Sequence, residues 1–263
     1  MLKTANVKTP CKAAIGRLLG NVFYPVCAFA FVIAVWAIVA AVKNLPILFP
    51  SVGEIFRALG DILSDGESWR AAGMTLGRIT GSFLLSLLFA AVLATAGAFV
   101  KPVHKFVRPL VTVLQAAPTM AVILLAVVWL DNSEVPLLVG FLICFPLLYN
   151  TCHTALESVD GELLEMADVY HMRPVDKLTG IYLPAVFPVV TEGAKSAVSL
   201  TVKVVIAAEV LAQTRVSIGL LMQQDSVMFE IADLLAWTVF AIVLSFLLEG
   251  IIVGVQKLRE VLR

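Results

Sequence analysis

Glu165-Met-Ala-Asp-Val-Tyr-His171, followed after nine residues by Ile181-Tyr-Leu-Pro184, is a charge-bearing stretch set between long apolar runs. A polar loop of about twenty residues between segments able to cross a bilayer belongs on the water side, where another molecule can read it. Composition supports that placement. Of the 263 residues 60% are hydrophobic and 14% charged, and the mean hydropathy is +0.97, which is the profile of an integral membrane protein. With about twenty residues needed per spanning helix, the chain accommodates roughly six spans and no separate soluble domain. The expected fold class is all-α and polytopic. A net charge of zero and the lack of a long Lys/Arg run argue against a nucleic-acid partner.

Outward from the loop, apolar runs lie at about 22–42, 79–100, 107–130, 135–149, 186–212 and 231–255. Residues 1–21 carry Lys3, Lys8, Lys12 and Arg17 without an acid and read as a cytoplasmic tail. Residues 22–263 read as one transmembrane domain containing the loop 157–182. The basic start and first apolar run also have the outline of a signal peptide, with Ala37 and Ala40 near its end. The run is long for one, so an uncleaved span is expected. A cytoplasmic N-terminus puts Lys101, Lys105, Arg108, Arg173, Lys177, Lys257, Arg259 and Arg263 inside with the tail. Only Lys43, Arg57, Arg70, Arg78 and Arg215 fall outside, the asymmetry that the positive-inside rule requires. Both termini are then cytoplasmic.

Pro118 falls in the third run and Pro146 in the fourth, so both spans are expected to be broken there. The mixed segment from Pro46 to Arg78 suits short interfacial helices. Cys11, Cys27, Cys144 and Cys152 form no CxxC pair and read as small apolar fillers. His104, His153 and His171 are scattered, and neither a metal site nor a cofactor is expected.

The loop resembles the cytoplasmic "EAA" loop of ABC importer permeases, in which Glu-Ala-Ala, three residues, Gly and nine residues precede Ile-x-Leu-Pro. Glu165, Ala167, Ile181, Leu183 and Pro184 fall on that pattern, while Met166 replaces an Ala and His171 the Gly. Other segments are similar to the nitrate, sulfonate, taurine and pyrimidine-precursor branch. They are Leu48-Phe-Pro50 with Val52, Thr75-Leu-Gly-Arg78 with Gly81 and Phe83, Gln115 to Trp129, and Phe145-Pro146 to Thr151. The Gln115 to Trp129 segment lacks that branch's second proline and final glycine. The resemblance covers about 48 to 220. It implies a type I ABC importer permease-like bundle, a homodimer with a separate ABC ATPase subunit and an extracytoplasmic solute-binding protein, in a bacterial inner membrane.

Such a permease has no nucleotide site, and this chain has no Walker A sequence; Gly193-Ala-Lys195-Ser196 breaks the Gly-Lys pair and lies in an apolar run. Coupling to a cytosolic motor calls for a short amphipathic helix. Glu162 to His171 can form one, starting at Asp160 or Gly161 and ending at Arg173-Pro174, with Leu163, Leu164, Ala167 and Tyr170 as candidate docking contacts. A solvated loop obeying topology alone is the plainer reading. The spacing to Ile181 favours docking by Glu165, Ala167, Asp168, His171, Ile181, Leu183 and Pro184.

The fifth run holds Glu192, Lys195, Lys203 and Glu209, and the sixth Glu249. Ionisable groups in a span face the bundle interior or pair. Glu192, Lys195 and Glu249 are expected to form a structural ion-pair cluster near the inner interface. Glu209 follows Ala207-Ala208, like an "AE" of this branch, and suits a gate or a fold role. Lys203 has no acid three or four residues away and cannot fully snorkel from mid-span. Lys203, with Glu209, is the candidate translocation-path residue, and a cation there suits an anionic solute; a buried Lys serving assembly stays open. The expected function is solute import as a permease subunit without covalent chemistry. The alternative is an ion-coupled secondary transporter using Lys203, Glu209 and Glu249, for which inverted repeats would be needed.

Overall fold

A computed structural model describes residues 10–43, 45 and 47–261, and side chains from residue 23 on, apart from 25 and the last few. Residues 1–9 of the expected tail, with Lys3 and Lys8, lie outside the described residues, as does Arg263. Helix α1 (Pro10–Lys43) begins well before the apolar run. It is followed by α2 (Val52–Ser64), α3 (Gly66–Phe99), α4 (Lys101–Ala116), α5 (Thr119–Trp129) and α6 (Val135–Glu157). Then come α7 (Gly161–Val169), α8 (Pro174–Lys177), a π turn (Leu178–Tyr182), α9 (Leu183–Ala212), α10 (Ile218–Met228) and α11 (Ile231–Val261). Among the described residues there is no strand.

Local chemistry sets the boundaries. Ser51 and Glu54 form a reciprocal capping box at α2: the Glu54 amide donates to Ser51 Oγ at 3.3 Å and the Ser51 amide to Glu54 Oε2 at 2.7 Å. Asp65 caps α3 by accepting from the amide and hydroxyl of Ser68, bonds that hold its carboxyl below the usual carboxylate range. Of the short interfacial helices expected in Pro46 to Arg78 only α2 is present among the described residues; from Gly66 on, the segment is the start of α3, continuous with the second apolar run.

Pro118 breaks the third span as its missing N–H requires: α4 and α5 meet at 99°. Pro146 corrects the other expectation. It lies inside an unbroken α6, buried with Cys144 and Phe145 where α6 packs against α3 and α9, and that packing tolerates the missing hydrogen bond.

The packing directions count the crossings. Ser82 Oγ donates to the Leu137 carbonyl at 2.9 Å and Ser86 Oγ to that of Phe141 at 3.1 Å, while Gly97 approaches Tyr149. α3 and α6 therefore run parallel, and the bent α4–α5 pair must carry the chain back across. α9 runs antiparallel to α6, with Gly140 against Val205 at one end and Gly193 against Thr151 at the other. It is also antiparallel to α11, as Ser245 to Ser199 and Arg259 over Phe187 show. With α1, joined near its end by a Trp36 indole donating to the Pro50 carbonyl at 3.1 Å, the chain alternates through about six crossings.

Among the described residues four helices are long and apolar enough to span alone, and the bent pair makes a fifth. α9 carries four ionisable residues and packs among α3, α6 and α11. Gly140 is the fulcrum of that packing: a Cβ there would lie 2.7 Å from Ser82 Oγ and 2.8 Å from Val205 Cγ2, so any larger residue would pry the helices apart. α1 instead exposes Phe29, Phe31, Val32 and Ile38, a surface suited to lipid or a partner chain.

Candidate functional site

At one end of the bundle, the loop after α6 folds into α7. The Asp160 side chain caps it by accepting from the Glu162 amide at 2.9 Å, and Glu162 sits in the first turn. The helix ends at Val169, earlier than Arg173. There His171 takes the left-handed conformation, with φ 51°. Its amide donates to the Asp168 carbonyl and that of Met172 to the Ala167 carbonyl, both at 3.0 Å, which is a Schellman stop built without glycine. The histidine thus does the conformational work of the residue it replaces.

The four apolar docking candidates divide. Leu163 and Tyr170 are exposed, together with Met166 and Val169. Ala167 is fully buried and Leu164 half-buried, so neither belongs to an outer docking face; Ala167 is small because the loop closes over it. Asp168 is paired with Lys177, linking α7 to α8, and the π turn carries Ile181 directly into Leu183 and Pro184 at the start of α9. A cavity of about 560 Å³ lies behind this link, between Phe99, Leu164, Val175 and Tyr182.

At the opposite end, Glu209 is fully buried. Its carboxylate accepts from Arg78 Nη1 at 2.7 Å, from Thr75 Oγ1 at 2.9 Å and from the Gly219 amide at 3.3 Å. Arg78 also donates to the Val216 carbonyl at 3.1 Å, and the Ile218 amide donates to Thr75 Oγ1 at 3.0 Å. Six groups from α3, α9, the turn before α10 and the first residues of α10 therefore close one polar knot. Gly219 permits it, since a Cβ there would collide with Glu209. The Arg78 partner was missed in the sequence; Thr75 and Arg78 share a face of α3 at i, i+3, but nothing local points to position 209.

Lys203 lies apart from Glu209, on the uncovered face of α9. With Glu249 of α11 it lines two adjoining grooves of about 540 and 450 Å³. Lys195 and Glu192 pair at 2.5 Å as expected, but Glu249 has no basic group within 4 Å among the described residues, which corrects the three-member cluster.

Two histidines meet. His104 and His153 stack with centroids 4.0 Å apart, the former 3.1 Å from Tyr149 Oη and the latter 3.4 Å from Glu157. Among the described residues no three His, Cys, Asp or Glu side chains are placed to hold a metal. Cys144 and Cys152 are buried thiols in α6. Further along α10, Asp225 is half-buried with no hydrogen-bond partner on Oδ2 among the described residues. Burial, then the charges of Asp233 and Glu230, push its carboxyl up to about 6.

Residues 86–257 match the family described as binding-protein-dependent transport system inner membrane component. The chain is 25% identical over 182 residues to a probable ABC transporter permease protein of Haemophilus influenzae, covering 67% of this chain and 72% of that one. It is 23% identical over 185 residues to a putative aliphatic sulfonates transport permease protein of Bacillus subtilis, covering 69% and 67%. To the riboflavin transport system permease protein of Chloroflexus aurantiacus it is 27% identical over 217 residues, covering 78% and 80%. The chain belongs to this family of ABC transporter permeases: it is a multi-pass membrane transport subunit and not an enzyme.

Proposed function

We propose that this permease forms the translocation path of an ATP-driven importer for a small organic solute, as a homodimer above two ATPase subunits and below an extracytoplasmic binding protein. Both termini and α7 lie in the cytoplasm on this reading, as the distribution of Lys and Arg favours. The observation that carries it is α7 itself, a nine-residue helix stopped at both ends, with Leu163, Met166, Val169 and Tyr170 turned outward. A solvated loop has no need to hold four apolar side chains in water. A groove on an ATPase would cover them.

Motion of the ATPases would pass from α7 through Asp168–Lys177 to α8, then through the π turn to α9, whose middle carries Lys203. Rocking of the two copies would open the path to alternate sides. Glu209 ties the far end of α9 to α3, and its commitment to Arg78 speaks against the ion-coupling role that the rival carrier would give it. The relatives' names, an aliphatic sulfonate permease and a riboflavin permease, favour an organic cargo.

Charge reversal of Glu165 together with Asp168 should leave membrane insertion intact and abolish coupled transport. Loss of a charge-assisted contact should weaken capture of the ATPase by about 1.5 to 3 kcal/mol in a pull-down. Wild-type capture and transport by the double variant would remove the docking role.

A further inference from the structure

The uncovered face of α9 is polar where a lipid-facing helix would be apolar. Glu192, Ser196, Ser199 and Lys203 recur at helical spacing along it, all exposed or half-buried, while Val202, Val204 and Val205 beside Lys203 are buried. Across the groove, α11 answers with Thr238, Ser245 and Glu249 at the same spacing. Two facing polar stripes that carry charge along a membrane-spanning helix pair are ill-suited to hydrocarbon. Yet the floor between them is apolar, formed by Ile206, Val210 and Phe246. Among the described residues no opposite charge lies within 4 Å of either Lys203 or Glu249.

We infer that the α9–α11 groove is a solute site for a small organic anion that also carries an N–H donor and an apolar, ring-sized body. Lys203 takes the anionic group, Glu249 accepts from the donor, and the apolar body lies on Ile206 and Phe246. The site rests on the proposed transport role and specifies its cargo. Its volume of about 540 Å³ falls in the range that encloses such molecules. A cation and a carboxylate held apart across the groove each lack what a bifunctional solute supplies, whereas a simple inorganic anion would use Lys203 and leave the apolar floor uncovered. Charge complementarity and the mixed floor together favour that occupant over a second copy of the chain, which would have to bury Lys203 and Glu249 against their own duplicates or pair them across a symmetry axis.

The test uses the full transporter in native membranes, in a background with its native cysteines replaced and with ATPase copurification confirmed. Cysteines placed at Ser199, at Ser245 and, as a lipid-side control, at Leu247 are labelled with an anionic and a cationic methanethiosulfonate. Taken relative to Leu247, the ratio of anionic to cationic rates should be several-fold higher at Ser199, one turn from Lys203, than at Ser245, one turn from Glu249; Lys203→Gln should erase that difference while Lys203→Arg keeps it. 4-Aminobenzenesulfonate should protect the groove cysteines better than benzenesulfonate, and Glu249→Gln should abolish that difference.

Three outcomes would overturn the site: Ser199→Cys crosslinking to its counterpart in the other copy while resisting both reagents, reactivity equal to that at Leu247, or equal protection by the two sulfonates. Failure of the ATPase to copurify would instead indict the permease reading, and the labelling would still report on the groove.

Discussion

The two ends of α9 are built on opposite plans. At the α7 end the connections are short-range and wet: Asp168 to Lys177 and Glu192 to Lys195 are surface pairs with their acids largely exposed, and the helix begins in a π turn. Such pairs are worth about 0 to 1 kcal/mol each. At the other end a single carboxylate, Glu209, gathers Arg78, Thr75 and the Gly219 amide in a site closed to water. An element that must transmit motion gains from this asymmetry. One end can shift with whatever binds α7, while the other holds the α3–α9–α10 corner as a unit.

The sharpest way to break the comparison is to cut the buried knot. Arg78→Met leaves buried Glu209 without its cation, and Glu209→Gln strands Arg78; either should destabilise the protein by about 3 to 5 kcal/mol. Removing both, as Arg78→Met with Glu209→Leu, should recover a good part of that loss. Thermal unfolding of the detergent-solubilised protein measures it. Lys177→Ala at the other end should stay within about 1 kcal/mol of wild type. Equal costs at the two ends would mean that the corner is no more rigid than the loop.

How much of this the sequence revealed follows the same division. α7 and its start were legible because the signals are local, Asp160 before Glu162 and apolar residues at helical spacing. Pro118 was legible for the same reason. The end of α7, expected at Pro174, comes earlier because the stop is made by His171 in a left-handed conformation that histidine does not announce. Pro146 was misread because what rescues a proline inside α6 is the packing around it, which no local pattern encodes. The Arg78–Glu209 pair joins residues 131 positions apart, and the Lys203–Glu249 groove joins two helices whose register shows in the Ser199–Ser245 contact. Charges in a span announce that a partner is needed without naming it.

A milder perturbation of the corner is pH. The Asp225 carboxyl, pushed up to about 6, holds its proton more tightly in the folded protein than in the unfolded chain. Its protonated form is therefore the one that suits the fold. Stability should fall as pH rises from about 4 through 6, and the loss should be complete above that. Asp225→Asn should remove this dependence and stabilise the corner near pH 7 by about 1 kcal/mol, a value discounted because water reaches the half-buried group. Melting temperatures of both forms at pH 4.5 and 7.5 test it; parallel pH profiles would show that Asp225 does not control the corner.

The smallest expected effect lies at the α7 end, at His171. A non-glycine residue at φ 51° pays a steric cost of about 1 to 2 kcal/mol, which the two Schellman hydrogen bonds and the closure over Ala167 must offset. His171→Gly removes that cost but gives the unfolded loop more freedom, so the net gain should be only about 0.5 to 1 kcal/mol. The amides of His171 and Met172 should then exchange about two- to fivefold more slowly, with no change at the Gly219 amide in the corner. His171→Val, whose branched side chain tolerates the left-handed region poorly, should reverse the sign. Because His171 is exposed beside Tyr170, capture of the ATPase should be followed in the same variants. A glycine variant that stiffens the loop yet binds the ATPase less well would assign the imidazole to the docking face. One that stiffens it with binding unchanged would confine His171 to the turn, and a change in exchange at Gly219 would show that the two ends of α9 are not independent after all.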